Sequence, residues 1–471
     1  MASLTSTSTA AVAHATGANS GDAMDVDTTA SSVPANNAAD PGVASEPDEE
    51  VADQDVDFDQ QAVKDEFNVW KKNVPYLYDI MLTHALEWPS LTCEWLPSSF
   101  DDKADTSITR KLLLGTHTSE GAANELLVAG VTLPKEGTDW MHIKEDGEPD
   151  EANSRTRVQI EKRFPHEGEV NRARHCKANP NLVATKSPTG NIYIYDVSKE
   201  SGTEPVSLCH GHSDEGFGIS WGTMGSKEDL LSAGNDGLIC LWKVTGNVKK
   251  VAPYGVFKGH STTVEDVSWS CANPHTFVSV GDDKALIFWD TRQREATNII
   301  ADAHYAPINC VDCHPSNTTL LLTGGADGSY RLWDTRTLSA SKKKPIHNMP
   351  RCHDSDVLSL QWNPSYGPGF VSTGADRRVM MHDLSRIGEE QERDDAADGP
   401  PEMLFIHSGH TGRVEDSTLR EGDGWLCASV SDDNIVQVWN MSRKIYERGD
   451  DFDEEVKKDM DAVMNATSVG L

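Results

Sequence analysis

Residues 259–290 read GHSTTVEDVSWSCANPHTFVSVGDDKALIFWD, and this stretch decides the fold. A Gly-His pair opens it and a Trp-Asp pair closes it. Between them lie two runs in which apolar and polar residues alternate, a period of two that predicts β-strands. The Gly-Asp-Asp-Lys sequence at 281–284 is typical of the tight turn that joins such strands.

The same frame recurs along the chain. Six histidines open the copies: His166, His212, His260, His304, His353 and His410. A turn residue follows each at a nearly constant distance: Thr189, Asp236, Asp283, Asp327, Asp376 and Asp433. A hydroxyl residue precedes each turn residue: Thr185, Ser232, Ser279, Thr323, Ser372 and Ser429. An aromatic residue follows it: Tyr195, Trp242, Trp289, Trp333, His382 and Trp439.

These four positions form the WD-repeat pattern, in which each copy is one four-stranded blade of a propeller. The turn carboxylate can accept a hydrogen bond from the histidine ring. The ring can contact the hydroxyl, and the hydroxyl the Trp N–H, so every buried polar group is satisfied. We therefore interpret the histidines and aspartates as structural rather than catalytic. The sequence predicts an all-β, seven-bladed WD-repeat β-propeller in a chain of 471 residues.

Composition narrows the function. The formal net charge of −33 disfavours direct nucleic-acid binding and favours basic partners. There is no apolar run long enough to span a membrane and no secretory signal pattern at the N-terminus. The nine cysteines are odd in number and scattered, which is typical of thiols in the cytosol or nucleus.

The ends of the chain differ from its middle. Residues 1–58 are low in complexity and then acidic, and we expect a disordered tail. Residues 59–74 predict a helix that Pro75 ends near Asn73. One face of this helix carries Val63, Phe67, Trp70, Val74 and Leu77.

The propeller is expected at 75–442, with Tyr76 to Thr83 as a strand that completes the last blade. WPSLTCEWLP at 88–97 predicts a further strand. Residues 443–471 are expected to hold a short C-terminal helix and tail, with Phe452, Val456 and Met460 at helical spacing.

Two acidic features point to basic ligands. Just beyond the opening histidines, acids begin the predicted innermost strands at one rim of the central channel: Glu169, Glu215, Glu265, Asp356 and Glu415. This predicts a basic-peptide site, the alternative being a merely solvated rim. The second feature is the acidic loop 386–402, in which Pro400 and Pro401 add the stiffness that a binding loop needs.

The CxxCH sequence of Cys310, Cys313 and His314 matches a haem-attachment pattern. Residues three apart on a strand point to opposite faces, so we reject it. We expect no cofactor and no metal. No nucleophile elbow, phosphate loop or zinc-spaced cluster is present either, so the sequence predicts no enzyme.

Several stretches resemble one family: VWKKNVPYLYDIMLTHALEWPSLTCEWLP, HEGEVNRAR, DLSRIGEEQ, DGPPEMLFIHSGH and SVSDDNIVQVW. They are similar to the retinoblastoma-associated histone-binding proteins, which include the small subunit of chromatin assembly factor one and the plant MSI-type proteins. The resemblance covers about Asp59 to Tyr446.

The resemblance implies a non-enzymatic, nuclear and partly cytoplasmic histone-binding scaffold, a monomer within hetero-complexes. Its implied partners are histones three and four and the subunits of chromatin assembly, deacetylase, acetyltransferase, remodelling and Polycomb complexes.

The resemblance also implies two sites. The first helix of histone four would lie in a side groove formed by Tyr76, Leu77, Ile80, Asp395, Asp398, Glu402 and Ile406. The tail of histone three would lie on the rim of His117, Glu169, Asn171, Glu215, Phe217, Glu265, Asp356, Arg413 and Asp432.

The chain departs from the family in places. Phe217 stands where Tyr is usual, Leu358 where an aromatic is usual, and Cys352 where a small residue is usual. The sequence STLREGDGW at 417–425 replaces an aromatic turn.

A different function remains open. Trp-Asp-Thr-Arg occurs twice, ending at Arg292 and Arg336. This WDxR box resembles the adaptor-binding motif of substrate receptors of cullin-based ubiquitin ligases, although a basic residue after Trp-Asp is also common in ordinary blades.

Overall fold

The computed structural model describes residues 49–446, apart from 105–106, 119–120, 135–156, 223–227, 245–247, 339–342, 392, 394–395 and 397–398. The chain divides into two compact units, Met1–Asp55 and Val56–Leu471. Only the start of a helix is described in the first unit, and the rest of the fold belongs to the second. The predicted helix around Phe452 lies outside the described residues.

Helix α1 spans Glu49–Leu77 and includes Pro75. It begins earlier than the sequence indicates, and it continues past Asn73, where Pro75 was expected to end it. Proline removes one backbone hydrogen bond, but Trp70, Val74 and Leu77 pack against an apolar cluster of the propeller. This packing holds the last turn helical despite the proline.

Strand β1, Tyr78–Ala85, follows the helix directly. Blade 1 then holds β2 (Cys93–Trp95), β3 (Asp102–Lys103), β4 (Ser107–Gly115), β5 (Asn124–Pro134) and β6 (Arg157–His166). Only Cys93–Trp95 of the strand predicted at 88–97 is extended in the sheet. Blade 2 holds β7 (Arg172–Cys176), β8 (Asn179–Lys186), β9 (Ile192–Asp196) and β10 (Ser207–Cys209).

The remaining blades follow the same antiparallel plan. Blade 3 holds β11 (Ile219–Trp221), β12 (Asp229–Ala233), β13 (Leu238–Lys243) and β15 (Gly255–Lys258). Between its last two strands, β14 (Lys250–Val251) joins the outer edge of blade 2 in parallel with β10. Blade 4 holds β16 (Val264–Trp269), β17 (Thr276–Gly281), β18 (Leu286–Asp290) and β19 (Ala296–Ile300).

Blade 5 holds β20 (Ile308–Cys313), β21 (Leu320–Gly325), β22 (Tyr330–Asp334) and β23 (His347–Met349). Blade 6 holds β24 (Val357–Trp362), β25 (Gly369–Gly374), β26 (Val379–Asp383) and β27 (Met403–His407). Blade 7 holds β28 (Val414–Leu419), β29 (Cys427–Ser431) and β30 (Ile435–Met441). Short helices occur at Ser98–Phe100, Thr335–Thr337, Leu384–Arg386 and Arg443–Tyr446.

The ring closes through the first strand. β1 pairs antiparallel with β30, so that Met81 lies opposite Trp439, and β1 becomes the outermost strand of blade 7. This confirms the prediction of a seven-bladed propeller whose early strand completes its last blade.

The predicted hydrogen-bond chain is complete in blades 3, 4 and 5. In blade 4, His260 lies 2.9 Å from Asp283 and 2.7 Å from the Ser279 hydroxyl, which accepts from Trp289 at 2.8 Å. In blade 3, burial would raise the pKa of Asp236, but hydrogen bonds from His212 and from backbone N–H groups outweigh burial and hold it at about 2. The turn aspartates are therefore charged and fully engaged inside their blades.

Two blades vary the chain. In blade 6, His382 takes the Trp position, lies 3.0 Å from the Ser372 hydroxyl and stacks on Phe370. Burial holds the pKa of His382 well below its usual value, so the ring is neutral. In blade 2, the Tyr195 hydroxyl donates to the carbonyl of Pro165 rather than meeting Thr185, as the pattern predicts.

The unusual 417–425 segment packs through charge rather than through an aromatic turn. Arg420 is buried and donates to the Leu96 carbonyl, and its guanidinium lies 2.8 Å from both carboxylate oxygens of Asp101. Asp423 accepts from Arg420 at 3.0 Å and also pairs with Arg110. These contacts join blade 7 to blade 1 at a second point, away from β1.

Candidate binding surfaces

The five predicted rim acids lie where the innermost strands begin. Glu169, Glu215 and Asp356 lie in the loops that lead into β7, β11 and β24, and Glu265 and Glu415 are the second residues of β16 and β28. All five are partly exposed. Strands of five different blades therefore begin with an acid, as the register of the repeats predicts.

Neighbouring side chains satisfy part of this charge. His117 Nε2 lies 3.2 Å from Glu169, and Arg413 Nε lies 3.6 Å from Glu415. Asn171 is almost fully buried, and its amide donates to the Gly216 carbonyl at 3.3 Å and to Glu215 at 3.4 Å. Asn171 therefore braces blade 2 against blade 3 instead of facing a ligand.

Other predicted rim residues lie beside the acids. Asp432 is exposed in the turn after β29 and accepts a weak hydrogen bond from Ser431 at 3.4 Å. Phe217 lies two residues before β11, and Leu358 lies on β24, both partly exposed. The two substituted family positions thus still present apolar surface, but neither carries a hydroxyl.

Like charges crowd one part of the rim. Burial raises the pKa of Glu265 to about 7, helped by Asp282 and Asp266 and opposed by Arg172 and Lys186. Burial likewise raises the pKa of Glu415. A ligand cation placed here would stabilise the ionised form of both carboxyl groups.

One residue at the rim was missed in the sequence. Lys186 ends β8, is fully buried, and donates to the Ala233 carbonyl of blade 3. Burial lowers the pKa of Lys186 to about 8. Its only sequence signal is a lone lysine at the end of the otherwise apolar run Leu182–Thr185, which indicates a buried strand end more than a charge site.

The side groove begins with the packing of α1 on blades 6 and 7. Trp70 Nε1 donates to the Tyr78 hydroxyl at 2.9 Å, which lies 2.8 Å from His407 Nδ1. His407 Nε2 in turn lies 2.6 Å from Gln437. Glu66 of α1 also lies 3.1 Å from Arg377 of blade 6. Sequence reasoning missed this network, since its members come from opposite ends of the chain.

The predicted groove residues are placed unequally. Tyr76 is 60% exposed, whereas Leu77, Ile80 and Ile406 are partly buried against apolar clusters of blades 6, 7 and 1. Glu402 is only 5% exposed and lies 3.0 Å from His347, so its carboxylate is already paired. Asp395 and Asp398 lie outside the described residues.

The two WDxR arginines pair with their own repeats. Arg292 holds Asp290 with hydrogen bonds of 2.9 and 2.6 Å, and Arg336 holds Asp334 in the same bidentate way. The pairing with Arg292 lowers the pKa of Asp290 to about 2. Both arginines are largely exposed on their remaining faces.

The central channel contains a cavity of about 430 Å³ on the side away from the rim, lined in part by Arg174, Asp266 and Asp312. Within the part of the chain that the structure describes, no group of three or more His, Cys, Asp or Glu side chains could hold a metal ion. None of the helices described is long and apolar enough to cross a membrane.

Two family models match the chain. The WD domain, G-beta repeat, matches residues 252–290 and 297–334, which are parts of blades 3 to 5, and this places the chain among WD-repeat propellers. The model of the histone-binding protein RBBP4, a component of the CAF1 complex, matches residues 65–135, which include the last part of α1 and most of blade 1. Together they confirm the predicted family, the RBBP4-type histone-binding WD-repeat proteins.

Proposed function

We propose that the protein is a histone-binding scaffold that takes a basic histone-three tail on the rim and the first helix of histone four in the side groove. The observation that carries the proposal is the rim itself, where five blades each begin an innermost strand with an acid. The raised pKa of Glu265 supports it, because carboxylates that repel one another gain most from an added cation.

The groove has a different chemistry. Val69 and Tyr76 are seven residues apart on α1 and both at least half exposed, so they form an apolar stripe beside the face that packs on the propeller. An amphipathic helix binds such a surface through its own apolar face. With the matched histone-binding region, this supports a helical histone segment as the ligand.

The scaffold role extends this proposal. A propeller that binds two parts of a histone at separate surfaces, and brings no catalytic group of its own, suits subunits of chromatin assembly, deacetylase, acetyltransferase and Polycomb complexes. The nucleus, with some protein in the cytoplasm, is the compartment in which we expect it.

Calorimetric titration at low and high salt tests both surfaces. We expect binding of a histone-three tail peptide and of a peptide of the first helix of histone four, with the tail contact more sensitive to salt. Glu169→Gln with Glu215→Gln should weaken only the tail peptide, and Tyr76→Ala only the helix peptide. Ile299→Ala, which trims an exposed side chain on the outer strand of blade 4, is the control. Binding of neither peptide would overturn the proposal.

A further inference from the structure

The outer edge of blade 3 departs from the charge of the rest of the molecule. The chain has 75 Asp and Glu residues, yet residues 237–264 contain none. The same stretch contributes four exposed lysines: Lys243, Lys249, Lys250 and Lys258. We call this surface, with Val248 and Tyr254, the basic edge.

The basic edge is a continuous surface. Lys243 Nζ lies 4.2 Å from the centre of the Tyr254 ring. Tyr254 lies between β14 and β15, and its backbone N–H donates to the Leu241 carbonyl at 2.8 Å. At about 3.4 Å per residue of extended chain, Lys250 and Lys258 lie within about 14 Å of Tyr254, on either side of it.

Little in the protein neutralises these lysines. None of the four has a carboxylate within ion-pair distance among the residues that the structure describes. The nearest acid is Asp229, which faces Lys243 across the β12–β13 pair and is partly buried. The charge of Lys249, Lys250 and Lys258 is therefore available to a ligand.

The same surface exposes apolar groups. Tyr254 is 60% exposed and Val248 is 44% exposed. Among the described strands, β15 pairs only with β13, so its outer side still offers backbone hydrogen-bonding groups. An extended peptide could pair with this edge while its side chains meet the lysines and the tyrosine.

We propose that the basic edge binds an acidic, partly apolar segment of a partner protein. Charge complementarity selects an acidic ligand, since the lysines are unneutralised. The exposed Tyr254 and Val248 favour a peptide over nucleic acid, because a phosphate backbone does not use apolar contacts of this kind. The net charge of −33 also opposes the long polyanion of a duplex more than a short acidic peptide.

This site is separate from the rim and from the side groove, so it does not depend on the function proposed above. It would let one propeller hold basic and acidic proteins at the same time on different faces.

Fluorescence anisotropy of the full chain tests the proposal. The probe is a labelled peptide in which Glu alternates with Leu and Phe, and its controls are the same peptide with Gln for Glu and a labelled DNA duplex. We expect the acidic peptide to bind at about 50 mM salt and to weaken at about 300 mM salt, where screening is stronger. The Gln peptide and the duplex should bind at least about tenfold more weakly.

Variants locate the site. Lys249→Glu with Lys250→Glu should weaken the acidic peptide by about tenfold, and Tyr254→Ala by a smaller factor. The matched control is Lys343→Glu with Lys344→Glu, which reverses two exposed lysines of blade 5 and should leave binding within about twofold. Unchanged binding of the histone peptides by each variant shows that the fold is intact.

Three results would overturn the proposal: no binding of the acidic peptide, equal losses from the two charge-reversed pairs, or preferential binding of the duplex. Self-association of the full chain that is lost in the Lys249 and Lys250 variant would assign the surface to a second copy instead, and would also overturn it.

Discussion

The rim and the side groove are assembled in opposite ways. The rim collects one acid from each of several blades at corresponding positions of the repeat, and its charge is only partly satisfied by residues such as His117 and Arg413. The groove has no counterpart in the repeat and rests on the Trp70, Tyr78 and His407 network, where the two ends of the propeller meet. A ligand of the rim should therefore respond to salt and pH, and a ligand of the groove to the integrity of the closing blade.

Trp70→Ala should separate the two surfaces most strongly. It removes the donor to Tyr78 and the ring contacts with Phe67 and His407, and we expect a loss of about 3 kcal/mol in the free energy of unfolding. Chemical denaturation measures this loss, and titration of the folded variant should show the histone-four helix peptide no longer bound.

Val69→Ala is the control for this change, since Val69 is a half-exposed neighbour on α1 and its truncation should cost well under about 1 kcal/mol. Equal loss of tail-peptide and helix-peptide binding by folded Trp70→Ala would mean that the two surfaces are not independent.

Neutralising the rim should act on the other ligand. Glu169→Gln with Glu215→Gln removes two charges beside the channel, and we expect about thirtyfold weaker binding of the tail peptide and a shallower dependence on salt. Calorimetry over a salt series measures both. The matched control is Glu200→Gln, which removes an exposed acid after β9. A rim whose acids are merely solvated would show no difference between the two proteins.

Changes in pH should also distinguish the surfaces. Because the pKa of Glu265 is about 7, its carboxyl group is mostly protonated and neutral at pH 6 and charged at pH 8. Tail-peptide affinity should therefore rise by up to about tenfold between about pH 6 and pH 8, and the helix peptide should show no such rise.

The same raised pKa affects stability. A carboxyl group whose pKa is higher in the folded protein contributes stability at low pH and loses it as pH rises from about 4.5 through about 7. Glu265→Gln should flatten both the affinity profile and this part of the stability profile. Unaltered pH profiles in that variant would assign the dependence to another group.

The smallest effects are expected at Arg292 and Arg336. Each arginine pairs at the surface with the aspartate of its own repeat, so Arg292→Ala with Arg336→Ala should change stability by no more than about 1 kcal/mol per site. Both histone titrations should stay the same. Loss of binding to a cullin-ligase adaptor in a pull-down, with histone binding intact, would instead support the ligase-receptor hypothesis.

Features set by local register could be predicted from sequence. The His260, Asp283, Ser279 and Trp289 chain lies within one repeat, and so does each rim acid relative to its strand. Features that join distant segments could not. Glu402 has the composition of a groove residue but pairs with His347, and Arg420 replaces an aromatic turn by reaching Asp101 in blade 1. Pro75 marks a helix end locally, while packing of Leu77 decides otherwise.

Ring closure also has a consequence for biosynthesis. β1 pairs with β30, and Met81 cannot meet Trp439 until that residue emerges from the ribosome, about 350 residues later. At about 5–20 residues per second, the first strand stays unpaired for tens of seconds while the other blades fold. The surface beside α1 is thus completed last, and a partner that binds there selects finished chains over nascent ones.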